Sequence, residues 1–130
     1  MIQYWAMIDN NLIYNLSKKF ALRIIRLYRY ILKERHEYDM SRQIYRSGTS
    51  IGANIAESKN AQSKLDFINK LSIALKEADE TRYWLDLLFE SETISEAEYQ
   101  SITNDLSVII GTLVKIIKKT NENLDQTIQG

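Results

Sequence analysis

The stretch NLIYNLSKKFALRIIRLYRYILKER, residues 11–35, decides the fold. Ile13, Leu16, Phe20, Ile24, Leu27 and Ile31 recur at spacings of three and four, which sets them on one face of an α-helix. Leu22, Ile25, Tyr28 and Leu32 widen the apolar arc beyond what a single bundle interior needs. Lys19, Arg23, Arg26, Arg29 and Lys33, with Tyr30 interleaved, form a basic stripe on the same helix.

The same period runs through the rest of the chain. A second helix is predicted over about 40–58, with Met40, Ile44, Ile51 and Ile55 inward and Asp39 or Ser41 as its cap. A third covers about 64–90, where Phe67, Leu71, Ala74, Ala78, Thr81, Leu85 and Leu88 follow steps of four and three. Ser63 with Asp66 imitates a capping box at its start. The fourth covers about 96–119 and has the clearest entry signal: Ser95 at N-cap, Glu98 at N3, and Ile94 facing Tyr99 as a hydrophobic staple. Its seam is Tyr99, Ile102, Leu106, Ile109, Leu113 and Ile116, and Lys115, Lys118 and Lys119 suit the negative end of its dipole. The segment 121–130 has little to bury and is expected to be a flexible tail.

Helices of this length joined by loops of about four to six residues favour antiparallel neighbours. The expected fold is all-α: one antiparallel up-down-up-down four-helix bundle over residues 1–120. The chain has 130 residues, no proline to interrupt a helix and no cysteine, which removes disulfides, thiolate metal sites and a cysteine nucleophile. MIQYWAMI at the start lacks the basic n-region of a signal peptide, and no uncharged apolar run approaches the ~20 residues of a membrane span. A cytoplasmic protein without membrane association is the expectation.

Net charge is zero but polarised. Residues 1–60 hold ten Lys/Arg against five Asp/Glu, and residues 61–130 hold seven against twelve. Such asymmetry points to an anionic partner or to complementary faces that meet one another.

Within helix 2, SGTSIGANIAES (47–58) is built almost wholly from small residues and isolated Ile. Two glycines inside a helix cost roughly 1 kcal/mol each relative to Ala, and close backbone packing, inside the bundle or against another subunit, would offset that. Gly52, Ala56 and Thr49 form the small flank, and Arg42, Arg46, Ser50 and Glu57 an opposite polar stripe.

SRQIYRSGTSIGANIAES (41–58) resembles the signature of a small four-helix-bundle family first noticed as open reading frames within intervening sequences of bacterial 23S rRNA. Ser41, Gln43, Arg46, Ser50, Ile51, Asn54, Ile55, Ala56 and Glu57 match that pattern. DFINKLSIALKEADETRYWLDLL (66–88) is similar to the family's third helix, and the likeness covers about residues 12–120. Gly52 stands where the family often has Pro, and Ser58 where it usually has Gly. The resemblance implies a ring-shaped homopentamer. It extends to the accessory variability proteins of diversity-generating retroelements, whose basic pentamers engage RNA and a reverse transcriptase.

Catalytic and cofactor chemistry finds no support. The single histidine, His36, lacks metal or triad spacing, and there is no Glu-x-x-His, H-E-x-x-H, Walker loop or G-x-G-x-x-G. Glu77, Asp79 and Glu80 cluster, but a hydrated helix face explains them better than a divalent-cation site. Trp5 and Trp84 read as packing anchors. The leading expectation is a non-enzymatic self-assembling protein without cofactor or metal, in which the basic helix 1 edge faces the acidic Glu77–Asp105 region of a neighbour. The alternative is RNA or DNA binding through Lys19, Arg23, Arg26, Arg29 and Lys33 together with Arg42 and Arg46.

Overall fold

A computed structural model describes the backbone of residues 4–129 and the side chains of residues 11–122. The described residues form four α-helices: α1 (Tyr4–Tyr30), α2 (Asp39–Ser58), α3 (Lys64–Glu90) and α4 (Glu96–Gln129). Among the described residues there is no strand. The side chains of Trp5 and of residues 123–130 lie outside the described residues, while the backbone of the segment expected to be a flexible tail continues α4 as far as Gln129.

The predicted seams form the core. Ile13, Phe20, Ile24 and Leu27 of α1, with Ile31 just beyond its end, meet Ile44, Ile51 and Ile55 of α2, all buried. Phe67, Leu71, Ala74, Ala78, Leu85 and Leu88 of α3 and Ile102, Leu106, Ile109, Leu113 and Ile116 of α4 close the other half. Removing these side chains from water is the main favourable term for such a bundle.

Cross-helix partners fix the direction of each helix. Going up α2 from Arg46 to Glu57 means going down α3, from Glu80 and Glu77 to Lys70. Arg82 of α3 meets Ser107 of α4 while Asp86 meets Tyr99, again in descending order. Gly48 lies against Ile24 and Gly52 against Ser17, so α1 and α2 are antiparallel as well. The result is the up-down-up-down bundle that the short loops predict. Consequently α1 and α3 sit at diagonal corners and run in the same direction. Of the neighbouring pairs, α1 and α4 pack least closely.

The small-residue stretch is explained inside the chain. A Cβ at Gly48 would lie 2.8 Å and 2.9 Å from the two γ carbons of Ile24, so the glycine lets α1 and α2 approach. At Gly52 the nearest α1 atom is Ser17 Oγ, at 3.4 Å from an added Cβ, which is ordinary contact. Ser47 of α2 and Thr81 of α3 are both fully buried, with their hydroxyls 3.0 Å apart.

Several local details differ from the sequence reading. Helix α1 begins at Tyr4, well before Asn11, and its end widens into a π-helical turn, Ile31–Arg35, stopped by His36 at φ 54°. Neither Asp39 nor Ser41 caps α2. The Glu37 carboxylate does so, accepting from the N–H groups of Asp39, Met40 and Ser41 at 3.1, 3.1 and 2.9 Å. A glutamate one turn back reaches several free N–H groups at once and favours the positive helix end. The α3 cap is as predicted, with Ser63 Oγ accepting from Asp66 N at 3.0 Å; Asp66 turns instead to Gln62 N. Helix α4 runs on to Gln129, so Lys115, Lys118 and Lys119 are not in its last turn.

Candidate interaction surfaces

Members of both charge stripes reach the seams where the halves of the chain meet. In α1, Arg23 crosses to α4: Nη1 donates to Asp105 Oδ2 at 2.8 Å, and Nη2 to Ser101 Oγ at 2.8 Å and to Glu98 Oε1 at 3.4 Å. Ser95 Oγ still caps Glu98 N at 3.1 Å, but the Glu98 carboxylate faces Arg23 rather than closing the capping box. In α2, Arg46 pairs with Glu77 and Glu80 of α3. Glu57 pairs with Lys70 at 3.0 Å. The polar stripe of α2 is thus largely a seam with α3, and the Glu77/Glu80 carboxylates hold an arginine. Among the described residues no group of three His, Asp or Glu is arranged to hold a metal.

These pairs divide the predicted cations. Arg23 and Arg46 are occupied within the chain, whereas Lys19, Arg26, Arg29, Lys33 and Arg42 are exposed and pair with no acid among the described residues. Arg23 also divides the groove between α1 and α4. On one side Arg26, Leu27, Tyr30, Ile94 and Glu98 line a cleft of about 630 Å³. On the other, Leu16, Lys19, Phe20, Val108 and Ile109 line one of about 340 Å³.

The motif positions have structural explanations. Ser41 is buried, its Oγ donating to the Glu37 carbonyl at 2.7 Å. Ser50 Oγ donates to the Arg46 carbonyl at 2.6 Å, and Asn54 Nδ2 to the Ser50 carbonyl at 2.9 Å. Gln43 is exposed. These hydroxyl and amide bonds satisfy α2 locally and bring no chemistry together.

Apolar surface is the other conspicuous feature. Leu22 of α1 is 48% exposed, with Ile25 half-buried one turn on and Leu32 half-buried in the turn beyond α1. Tyr28 packs on the Tyr45 ring of α2 with centroids 4.6 Å apart, and Tyr45 remains exposed. On α3, Leu65 and Tyr83 stand out at 65% and 55%. Trp84 packs against the core as expected, but its buried Nε1–H finds no acceptor among the described residues. Sequence reasoning passed over Lys18 and Tyr83. Both are exposed, and only the assignment of the core stripes reveals which faces they occupy.

The Tyr99 hydroxyl donates to Asp86 Oδ1 at 2.6 Å while its ring stacks on Phe89. That hydrogen bond, then burial and the Asp86 charge, raise the phenol above its ordinary value.

This arrangement is an all-α four-helix bundle, and no catalytic constellation is assembled among the described residues. The chain belongs to the 23S rRNA-intervening sequence protein family, whose profile matches residues 9–115. It is similar to a crystal structure from Bacteroides thetaiotaomicron, described as a protein with unknown function from the S23 ribosomal protein family. That similarity is 53% identity over 85% of this chain and 99% of the other, with a TM-score of 0.84. No curated protein matches the chain. No helix among the described residues is long and apolar enough to cross a membrane.

Proposed function

We propose that this chain is a non-enzymatic scaffold that assembles into a ring of identical copies, a homopentamer, whose composite surface receives a macromolecular partner. The observation that carries the reading is the uncovered second flank of α1, where Leu22 is 48% exposed with half-buried Ile25 one turn on, a flank that half-buried Leu32 prolongs beyond the end of α1. Covering half a leucine side chain contributes roughly 1 kcal/mol, so several such residues per subunit favour association once the entropic cost is met. In a cyclic ring each interface joins two different edges of the subunit, so a second, dissimilar surface must answer α1. Light scattering coupled to size exclusion tests the reading. A mass five times that of the 15.2 kDa chain is expected, and a monomer at every concentration refutes it.

A second reading, nucleic-acid binding, is favoured by the exposed cations Lys19, Arg26, Arg29, Lys33 and Arg42. The resemblance to accessory variability proteins points the same way, towards RNA. Regularly spaced cations without acid partners release counterions from phosphates on binding, so affinity falls steeply with salt. Arg23 and Arg46 are already paired with acids of the same chain and are the less available members of the set. A triple variant R26E/R29E/K33E is expected to lose binding to RNA; retained affinity removes the α1 stripe from consideration.

A further inference from the structure

Four of the five ion pairs among the described residues join a cation of the N-terminal half to an acid of the C-terminal half, and the fifth, Glu57 with Lys70, joins the halves the other way round. They lie at the α1–α4 and α2–α3 seams. The outer faces are left with unanswered charge of opposite sign. On α1, Lys18, Leu22 and Arg29 are exposed, and at 100° per residue they share an arc of about 40°. On α3, Asp79, Tyr83 and Glu90 are exposed and share an arc of the same width. Each set is spaced by four residues and then by seven. Each reads charge, large apolar, charge, with the signs reversed between them.

We infer that α1 of one copy seats against α3 of the next, in a parallel register that sets Lys18 opposite Asp79, Leu22 opposite Tyr83 and Arg29 opposite Glu90. The inference rests on the ring reading and names the two edges that meet in it. Topology supplies the orientation. Helices α1 and α3 run in the same direction, and a ring whose axis lies along the bundle keeps every copy in one orientation, so the two helices meet parallel. Their diagonal placement puts the two faces on opposite sides of the subunit, as a head-to-tail contact requires. Lys76, the cation on this face of α3, falls opposite uncharged Asn15 in that register, so no like charges meet. Half-buried Leu87 falls opposite the aliphatic stem of Arg26, which extends the apolar centre. Opposite charges at both ends of an apolar contact fix the register more than they add affinity. The arrangement also accounts for a polarised sequence with zero net charge.

Because the chain has no cysteine, the register can be tested covalently. Under mild oxidation L22C/Y83C is expected to form a disulfide-linked ladder closing at the native oligomer mass, while L22C and Y83C alone give none. In light scattering, K18E/R29E and D79K/E90K are each expected to fall to monomer with helical circular dichroism retained. The combined fourfold variant is expected to recover the native mass. An assembled wild type with no ladder from L22C/Y83C, with an unmoved mass in K18E/R29E, or with no recovery in the fourfold variant overturns this pairing and leaves the ring reading standing. A monomeric wild type overturns both.

Discussion

Replacing a helical glycine by alanine applies one chemical change at three sites whose surroundings differ. In a helix interior the change stabilises by about 1 kcal/mol, because alanine loses less backbone entropy on folding. At Gly111 nothing beyond its chain neighbours and the helix's own backbone lies within 4 Å of the added Cβ, so G111A keeps that gain in full. At Gly52 the 3.4 Å approach to Ser17 Oγ is ordinary contact, and G52A keeps it too. At Gly48 the new carbon meets Ile24 Cγ1 at 2.8 Å and Cγ2 at 2.9 Å. Both carbons hang from one stiff χ1 torsion, and Ile24 is fully buried, so relief requires α1 and α2 to separate. Overpacking of this kind costs typically 1–3 kcal/mol, which leaves G48A neutral to about 2 kcal/mol destabilised and places it about 1–3 kcal/mol below G111A. Urea unfolding followed by circular dichroism measures the gap. With a slope of about 2 kcal/mol/M, a 2 kcal/mol difference separates the midpoints by about 1 M. All variants must be compared at one protein concentration, because assembly adds to apparent stability by mass action. If G48A unfolds at or above the G111A midpoint, the glycine is not what admits Ile24, and the account of the small-residue stretch fails.

Other consequences are independent of assembly. E37A removes the acceptor for three α2 N–H groups and should cost about 1–2 kcal/mol, whereas D39A should cost little; equal effects in urea unfolding would contradict the assignment of the cap. R23A, which frees Glu98, Ser101 and Asp105 at a partly exposed seam, should cost about 1 kcal/mol or less, with the loss shrinking in high salt. The raised Tyr99 phenol sets an alkaline limit. Its folded-state pKa lies above the unfolded value, so the stability it contributes is complete below about pH 10 and lost as pH rises through the folded value. The urea midpoint of wild type should therefore decline more steeply above about pH 10 than that of Y99F. Parallel declines would show that the bond to Asp86 contributes nothing there.

The core was legible because periodicity is a property of the chain itself. Residues such as Phe67, Leu71 and Leu85 recur on one face of a helix whatever the partner, and burial follows from that. Ser63 and Ser95 were readable as caps because each acts within one turn of itself. The α2 cap was not, since Glu37 is a poor N-cap residue by type and works here only through a reach of two to four residues. The basic stripe was legible as a stripe and illegible as a surface. Lys19, Arg23, Arg26, Arg29 and Lys33 look alike in one dimension, and only the approach of α4 separates Arg23 from the rest.

The sequence alone determined four amphipathic helices, their order, their antiparallel connection and the side chains each turns inward, because those follow from spacing along a single helix. Tertiary structure decided which charges are spent at the α1–α4 and α2–α3 seams, which are left facing outward, and that Gly48 admits Ile24. The reason is range. A helical period is felt over three or four residues, whereas an ion pair such as Arg23 with Asp105 depends on two segments 82 positions apart arriving side by side.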